Sequence, residues 1–270
     1  MKCYGKNLII MYSIEHQNYL KKLKLNKVIV TFSKIFIIVS FLLIWELCAK
    51  KEIINPFLTS YPSQVIKTII LLIKQNNLFN HIGITLYETL VSFSLASILG
   101  IIIASILWSS KTISKILDPY LTILNSLPKI SLGPLIIIWI GANTNSIIFM
   151  ALLISLFTSI INMYNAFINT DRSKIMLLKS FKASKKQIFF KLVLRGNIPS
   201  IINTLKINIS LSLIGVIMGE LLVSKKGLGY LITYGSQVFN LNLVITSIFI
   251  LGIISYILYI VIDLIEKKIK

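Results

Sequence analysis

Long aliphatic runs recur along the chain with few charges inside them, at residues 29–49, 84–107, 119–141, 146–168, 198–223 and 241–264. Each approaches the ~20 residues that a helix needs to cross ~30 Å of hydrocarbon. Continuous apolar runs, rather than short alternating segments, argue against a β-barrel. The pattern predicts an all-α polytopic membrane protein with about six transmembrane helices.

The breaks in the pattern carry further information. Pro128 and Pro134 interrupt the third run, so its irregular backbone must be covered by neighbouring helices. Between the first two runs, Val65–Ile73 is apolar but too short to span, and is expected to be an interfacial helix. Between the fourth and fifth runs lies the longest polar loop, residues 169–197. In it Asp171 suits the N-cap of a helix through Phe181, with Ile175, Leu178 and Phe181 on one face. Ser184-Lys185-Lys186-Gln187 then has the form of a capping box, which predicts a second helix bearing Ile188, Phe189, Leu192 and Val193 on one side. With no repeat and no low-complexity linker, the expected organisation is an amino-terminal tail, 1–28, followed by a single transmembrane domain, 29–270.

Composition agrees with this reading: 56% of residues are hydrophobic, 14% are charged, and the mean hydropathy is +0.84. A net charge of +19 could suggest nucleic acid, but its distribution gives a different explanation. With the amino terminus inside, cytoplasmic segments hold 19 of the 28 Lys and Arg residues and external segments hold 6. The positive-inside rule then places both termini in the cytoplasm, and no nucleic-acid partner is expected. The first run meets Lys50 and Lys51 without a cleavage site, so it is expected to remain in the membrane. Two cysteines, Cys3 and Cys48, make neither a disulfide framework nor a metal site.

Candidate chemistry is sparse. No GxxxxGK[ST] phosphate loop occurs, so the chain itself is not expected to bind ATP by that means, and no catalytic triad suggests itself. Carboxylates within apolar runs are functional candidates, and three exist: Glu46, Glu88 and Glu220. Glu46 and Glu220 lie near the expected external ends, in reach of water or of Lys50 and Lys225. Glu220 is also a candidate for the solute path, and Glu88 is expected to meet the membrane interface. Lys206 is expected to snorkel towards the cytoplasm. Lys129 beside Pro128 has two readings, attracting an anion in a translocation path or sealing a helix end by binding carbonyls. Gly215 and Gly219 form a GxxxG, expected to serve packing within one subunit. Gly227, Gly229 and Gly235 are expected to shape an external turn.

Five stretches in order, WELCAKKEIINPFLTSYPS, LYETLVSFSLASILGIIIASIL, LDPYLTILNSLPKISLGPLIIIWIG, KASKKQIFFKLVLRGNIP and IGVIMGELLVSKKGLGYLI, resemble the nitrate, sulfonate and taurine group of type I ATP-binding cassette importer permeases. The likeness runs from Trp45 to Lys268. Loop 169–197 resembles the family's coupling loop, with departures. Met176-Leu177-Leu178 stands where the family has Glu-Ala-Ala. Lys182 replaces its turn Gly, and Arg195 its first Pro, while Pro199 is retained.

The resemblance implies a transport subunit rather than an enzyme, in a bacterial cell membrane. It implies a second permease copy, as a homodimer, a cytoplasmic ATPase that uses the ATP, and an extracytoplasmic substrate-binding protein. The implied solute is small and anionic, of sulfonate, taurine or nitrate type. Coupling to the ATPase would fall to Met176, Lys182, Ala183, Ser184, Lys185, Lys186, Gln187, Phe189 and Phe190. Lys129 and Glu220 are the candidates for the path. Two rivals remain. An ion-coupled transporter could use Glu88 or Glu220, although neither an inverted repeat nor a deep pair of acids is evident. A membrane scaffold would leave the capped loop without a purpose.

Overall fold

The computed structural model describes residues 14–75 and 77–269, and every regular element among them is helical. The order is α1 Ile14–Lys50, α2 Pro56–Thr59, α3 Pro62–Lys74, α4 Leu78–Ser109, α5 Lys111–Ser126, α6 Gly133–Ile140 and α7 Thr144–Ile168. There follow α8 Arg172–Ser180, α9 Lys185–Ile188, α10 Leu194–Gly196, α11 Ile198–Val223, α12 Leu228–Gln237 and α13 Leu241–Ile269. A 3-10 turn at Lys129–Leu132 leads into α6, and a π turn at Phe189–Val193 joins α9 to α10.

Among the described residues, five helices are long and apolar enough to cross a membrane: Asn18–Lys50 within α1, then α4, α7, α11 and most of α13. The expected third span is a bent pair, Lys111–Ser126 and Lys129–Ile140, at 83° to one another. It makes the sixth crossing if the pair counts as one. Leu127 is extended (ψ 141°), as the residue before a proline must be, and Pro128 has no N–H with which to continue the ladder. The short α3 falls where the interfacial helix was expected. Of the expected tail, residues 1–13 lie outside the described residues, and from Ile14 the chain is already helical.

The chain forms two compact units, divided after Ser63. In the first unit the Glu46 carboxylate accepts from the Ser63 N–H at 3.0 Å and the Ser63 hydroxyl at 2.7 Å. It also meets Lys50 at 2.8 Å, the partner expected for it. In the second unit, α4, α7 and α11 pack most extensively. The GxxxG accounts for part of this: a Cβ on Gly215 would lie 2.5 Å from the Ala151 Cα, and one on Gly219 2.9 Å from the Ile147 Cγ2. Only glycine lets α11 come so near α7, within one chain. Some buried hydroxyls are satisfied within their own helix, Thr89 donating to the Thr85 carbonyl at 2.7 Å and Ser92 to that of Glu88 at 2.8 Å.

One expectation is corrected where α11 meets α13. Lys206 does not reach for solvent; its ammonium binds Asp263 at 2.6 Å and Glu266 at 2.7 Å. Two carboxylates on a neighbouring helix offer a lysine within an apolar helix a better partner than a stretched side chain finds in water.

Candidate functional site

Three places gather polar or exposed side chains. The first is the loop after α7, which is built by local rules. The Asp171 carboxylate accepts from the Ser173 N–H at 2.8 Å and starts α8. Lys182, at φ +57°, ends it in the left-handed region. The Lys182 N–H donates to the Lys179 carbonyl at 2.8 Å, and the Ala183 N–H to that of Leu178 at 3.1 Å. This is the paired closure that glycine usually makes, here carried by lysine. Ser184 and Gln187 then form the expected reciprocal cap: the Ser184 N–H donates to Gln187 Oε1 at 2.8 Å and the Gln187 N–H to Ser184 Oγ at 3.3 Å.

The packing under this loop revises which side chains are available. Phe189 is only 9% exposed. Its ring meets Trp108 at 5.1 Å and Phe167 edge-on at 5.5 Å, in a cluster with Ala104, Met163, Ile188 and Val193. It anchors the loop to α4 and α7 and offers almost no surface, whereas Phe190 is 52% exposed. Phe181 also parts from Ile175 and Leu178, which face the cluster, and joins Met176 and Leu177 outside. Lys182, Ser184, Lys185, Lys186 and Gln187 are exposed beside them, and Ala183 is half-buried. The surface thus combines apolar and basic side chains on a scaffold held from below.

The second place is the junction of α11 and α12. Glu220 reaches neither water nor Lys225; it is 1% exposed. Its carboxylate accepts from the Thr85 hydroxyl at 2.7 Å and from the Gly229 N–H at 2.5 Å. Thr85 accepts in turn from the Leu228 N–H at 2.9 Å, and His81 Nδ1 from the Gly227 N–H at 2.9 Å. The expected external turn is therefore the first turn of α12, clasped by α4 and α11. Gly227, at φ +105°, admits no alternative, since a Cβ there would lie 2.2 Å from Glu220 Oε1. Glu88 is also fully buried rather than interfacial. It lies one turn along α4 from Thr85, the residue that binds Glu220, and neither of its oxygens has a hydrogen-bond partner among the described residues. Two acids thus lie near one another in the interior, where no deep pair was evident in the sequence. His81, Thr85, Glu88 and Ser92 recur at helical spacing through an apolar run, a signal of a buried polar face that was open to reading.

The third place is the break between α5 and α6. The Lys129 ammonium donates to the Asn125 carbonyl at 2.7 Å and lies 5.8 Å from the centre of the Phe157 ring. Of the two readings of Lys129, the helix-end contact is present, and it uses one N–H of three. Among the described residues no three His, Cys, Asp or Glu side chains converge on a metal position.

Comparison with known proteins places this architecture. Residues 96–270 match the family described as binding-protein-dependent transport system inner membrane component. The chain is 28% identical over 213 residues to the formylaminopyrimidine transport permease protein ThiX of Halalkalibacterium halodurans, covering 79% of this chain and 84% of that one. It is 22% identical over 222 residues to the taurine transport system permease protein TauC of Escherichia coli, covering 80% and 81%. Among solved structures, a chain of the inward-facing MetNI methionine ABC transporter superposes with a TM-score of 0.65 at 18% identity, over 73% of this chain and 98% of that one. That likeness shows a shared fold. The chain belongs to the binding-protein-dependent transport system inner membrane components and is a multi-pass permease subunit of an ABC importer, with transport rather than catalysis as its own part.

Proposed function

We propose that this chain forms half of the translocation path of an ATP-driven importer for a small anionic solute, in a bacterial cell membrane. It pairs with a second copy of itself. A cytoplasmic ATPase docks on the loop from Asp171 to Asn197, and an extracytoplasmic binding protein delivers solute at the opposite face. Both termini lie in the cytoplasm, as the 19-to-6 division of basic residues argues. The observation that carries the ATPase contact is the capped α8–α9 pair, where Met176, Leu177 and Phe181, with Phe190 just after it, are exposed alongside Lys182, Lys185 and Lys186. Met176, Lys182, Ser184, Lys185, Lys186, Gln187 and Phe190 form the contact, with Ala183 behind them. Closure of the ATPases on ATP would pull on this pair and turn the path outward; hydrolysis would reset it.

The taurine named for TauC supports an anion-bearing solute, whereas the compound named for ThiX shows that relatives are not confined to one class. The test is uptake into vesicles containing this chain with and without its ATPase. Uptake that needs the ATPase and survives collapse of the proton gradient at constant ATP supports the reading. Uptake by this chain alone, driven by a pH gradient, overturns it.

A further inference from the structure

From Lys129 to Thr170 the sequence holds no charge except Lys129 itself. Along α7 and onto its C-cap, Thr158, Asn162, Asn165 and Asn169 recur at intervals of four, three and four residues, one stripe of a helix. At the deep end of this stripe, near the middle of α7, the Thr158 hydroxyl donates to Asn125 Oδ1 at 3.2 Å, beside the carbonyl that holds Lys129. At its other end the stripe meets Ser200 and Asn203 of α11 around a cleft of about 490 Å³, lined by no charged side chain. The Asn165 and Asn203 side chains are exposed, and among the described residues neither they nor the Asn162 amide make a hydrogen bond within the chain.

A bare carboxamide facing acyl chains would forfeit its hydrogen bonds, so a face with several of them belongs to water. The contrast is α13, whose outer face offers Ile248, Ile253 and Tyr256. Of the acids within the long helices, Asp263 and Glu266 hold Lys206, Glu46 holds Lys50, and Glu88 and Glu220 are buried, whereas Asp118 of α5 is exposed, two turns before Asn125. Neither the α7 stripe nor the cleft carries an acid that would repel an anion.

We propose that the stripe from Lys129 through Thr158, Asn162 and Asn165 to Asn203 is the cytoplasmic half of the solute passage, and that Lys129 is its contact for a sulfonate or carboxylate group. The inference rests on the importer reading above. The Lys129 N–H groups not given to Asn125 bind the oxyanion. The neutral amides beyond offer weaker hydrogen bonds, so the solute is attracted to mid-path and still leaves.

The test uses the complete transporter, with ATPase and binding protein, in which Cys3 and Cys48 are replaced by Ser. In inverted vesicles, Asn165→Cys and Asn203→Cys should react with a membrane-impermeant methanethiosulfonate, while Ile248→Cys and Tyr256→Cys on α13 should not. Lys129→Gln should lower ATP-driven uptake of ethanesulfonate at least ten-fold, and Lys129→Arg should restore it to within three-fold. If Lys129→Gln does not assemble, labelling of Asn165→Cys decides. Faster reaction with the anionic sulfonatoethyl reagent than with the cationic trimethylammonium reagent supports the contact, and the reverse overturns it. Unreactive Asn165→Cys and Asn203→Cys overturn the passage. Wild-type uptake of an uncharged aminopyrimidine with refusal of ethanesulfonate overturns the anion contact. ATP hydrolysis with uptake of neither probe overturns the importer reading instead, and the labelling pattern still judges the passage.

Discussion

The loop from Asp171 to Asn197 and the junction of α11 with α12 are built in opposite ways. The loop is closed by neighbours in sequence: Asp171 to Ser173, Lys182 to Lys179, Ser184 to Gln187. It leaves Met176, Leu177, Phe181 and Phe190 uncovered. The junction is closed by residues far apart, Thr85 to Glu220 and His81 to Gly227, and leaves nothing of Glu220 outside. Local closure suits a surface that must present itself to another protein. Closure at long range suits a joint that holds three helices in register where no solvent can satisfy its polar groups.

Breaking the junction should cost most. Gly227→Val would put a branched side chain into left-handed backbone and into the Glu220 carboxylate. The expected loss is about 4 kcal/mol from strain and overpacking together, seen as failure to accumulate in membranes or a collapse of the melting temperature in detergent. Glu220→Ala would strand the Gly229 N–H and the Thr85 hydroxyl, at about 1–3 kcal/mol for each buried group left unpaired. Its melting temperature should fall clearly, and Glu220→Gln, which keeps an acceptor, should fall less. A wild-type melt for Glu220→Ala would mean that the clasp holds nothing.

Changes in the loop should separate stability from coupling. Charge reversal at Lys185 and Lys186 to Glu alters exposed groups, so the melting temperature of the permease should stay close to wild type. Capture of the ATPase should weaken at least ten-fold, about 1.4 kcal/mol, as measured by co-purification. Undiminished capture with normal uptake would mean that this surface serves the lipid instead. Smallest is Lys182→Gly. Relief of left-handed strain, set against the extra freedom of glycine in the unfolded chain, leaves a gain of about 1 kcal/mol. A lower melting temperature would show that the lysine side chain holds the turn.

The difference also explains what could be read in advance. Spans appear in sequence because an apolar run long enough to cross hydrocarbon needs no partner to be recognised. The end of α11 at Val223 and the cap at Ser184 both fall where expected. The loop's caps were legible for the same reason, since each couples residues within five positions. The side bearing Ile188, Phe189, Leu192 and Val193 was legible as one face, but that it turns inward onto Trp108 and Phe167, rather than outward to a partner, was not. Helix α12 was hidden too. Gly227, Gly229 and Gly235 read as turn formers, and a helix begins there because Glu220 and His81 bind its first N–H groups.

Sequence alone, then, determined the membrane class, the spans, the break at Pro128 and the capped loop, all consequences of hydrophobic length, proline geometry and short-range hydrogen bonding. Tertiary structure alone decided the fate of the charged groups. Lys206 met Asp263 and Glu266, Glu220 met Thr85 and Gly229, and Lys129 came to stand at the head of an amide stripe on α7. A charge within apolar helices is stabilised by whichever polar group the packing brings near, and that neighbour lies on another helix, 57 residues away for Lys206 and Asp263.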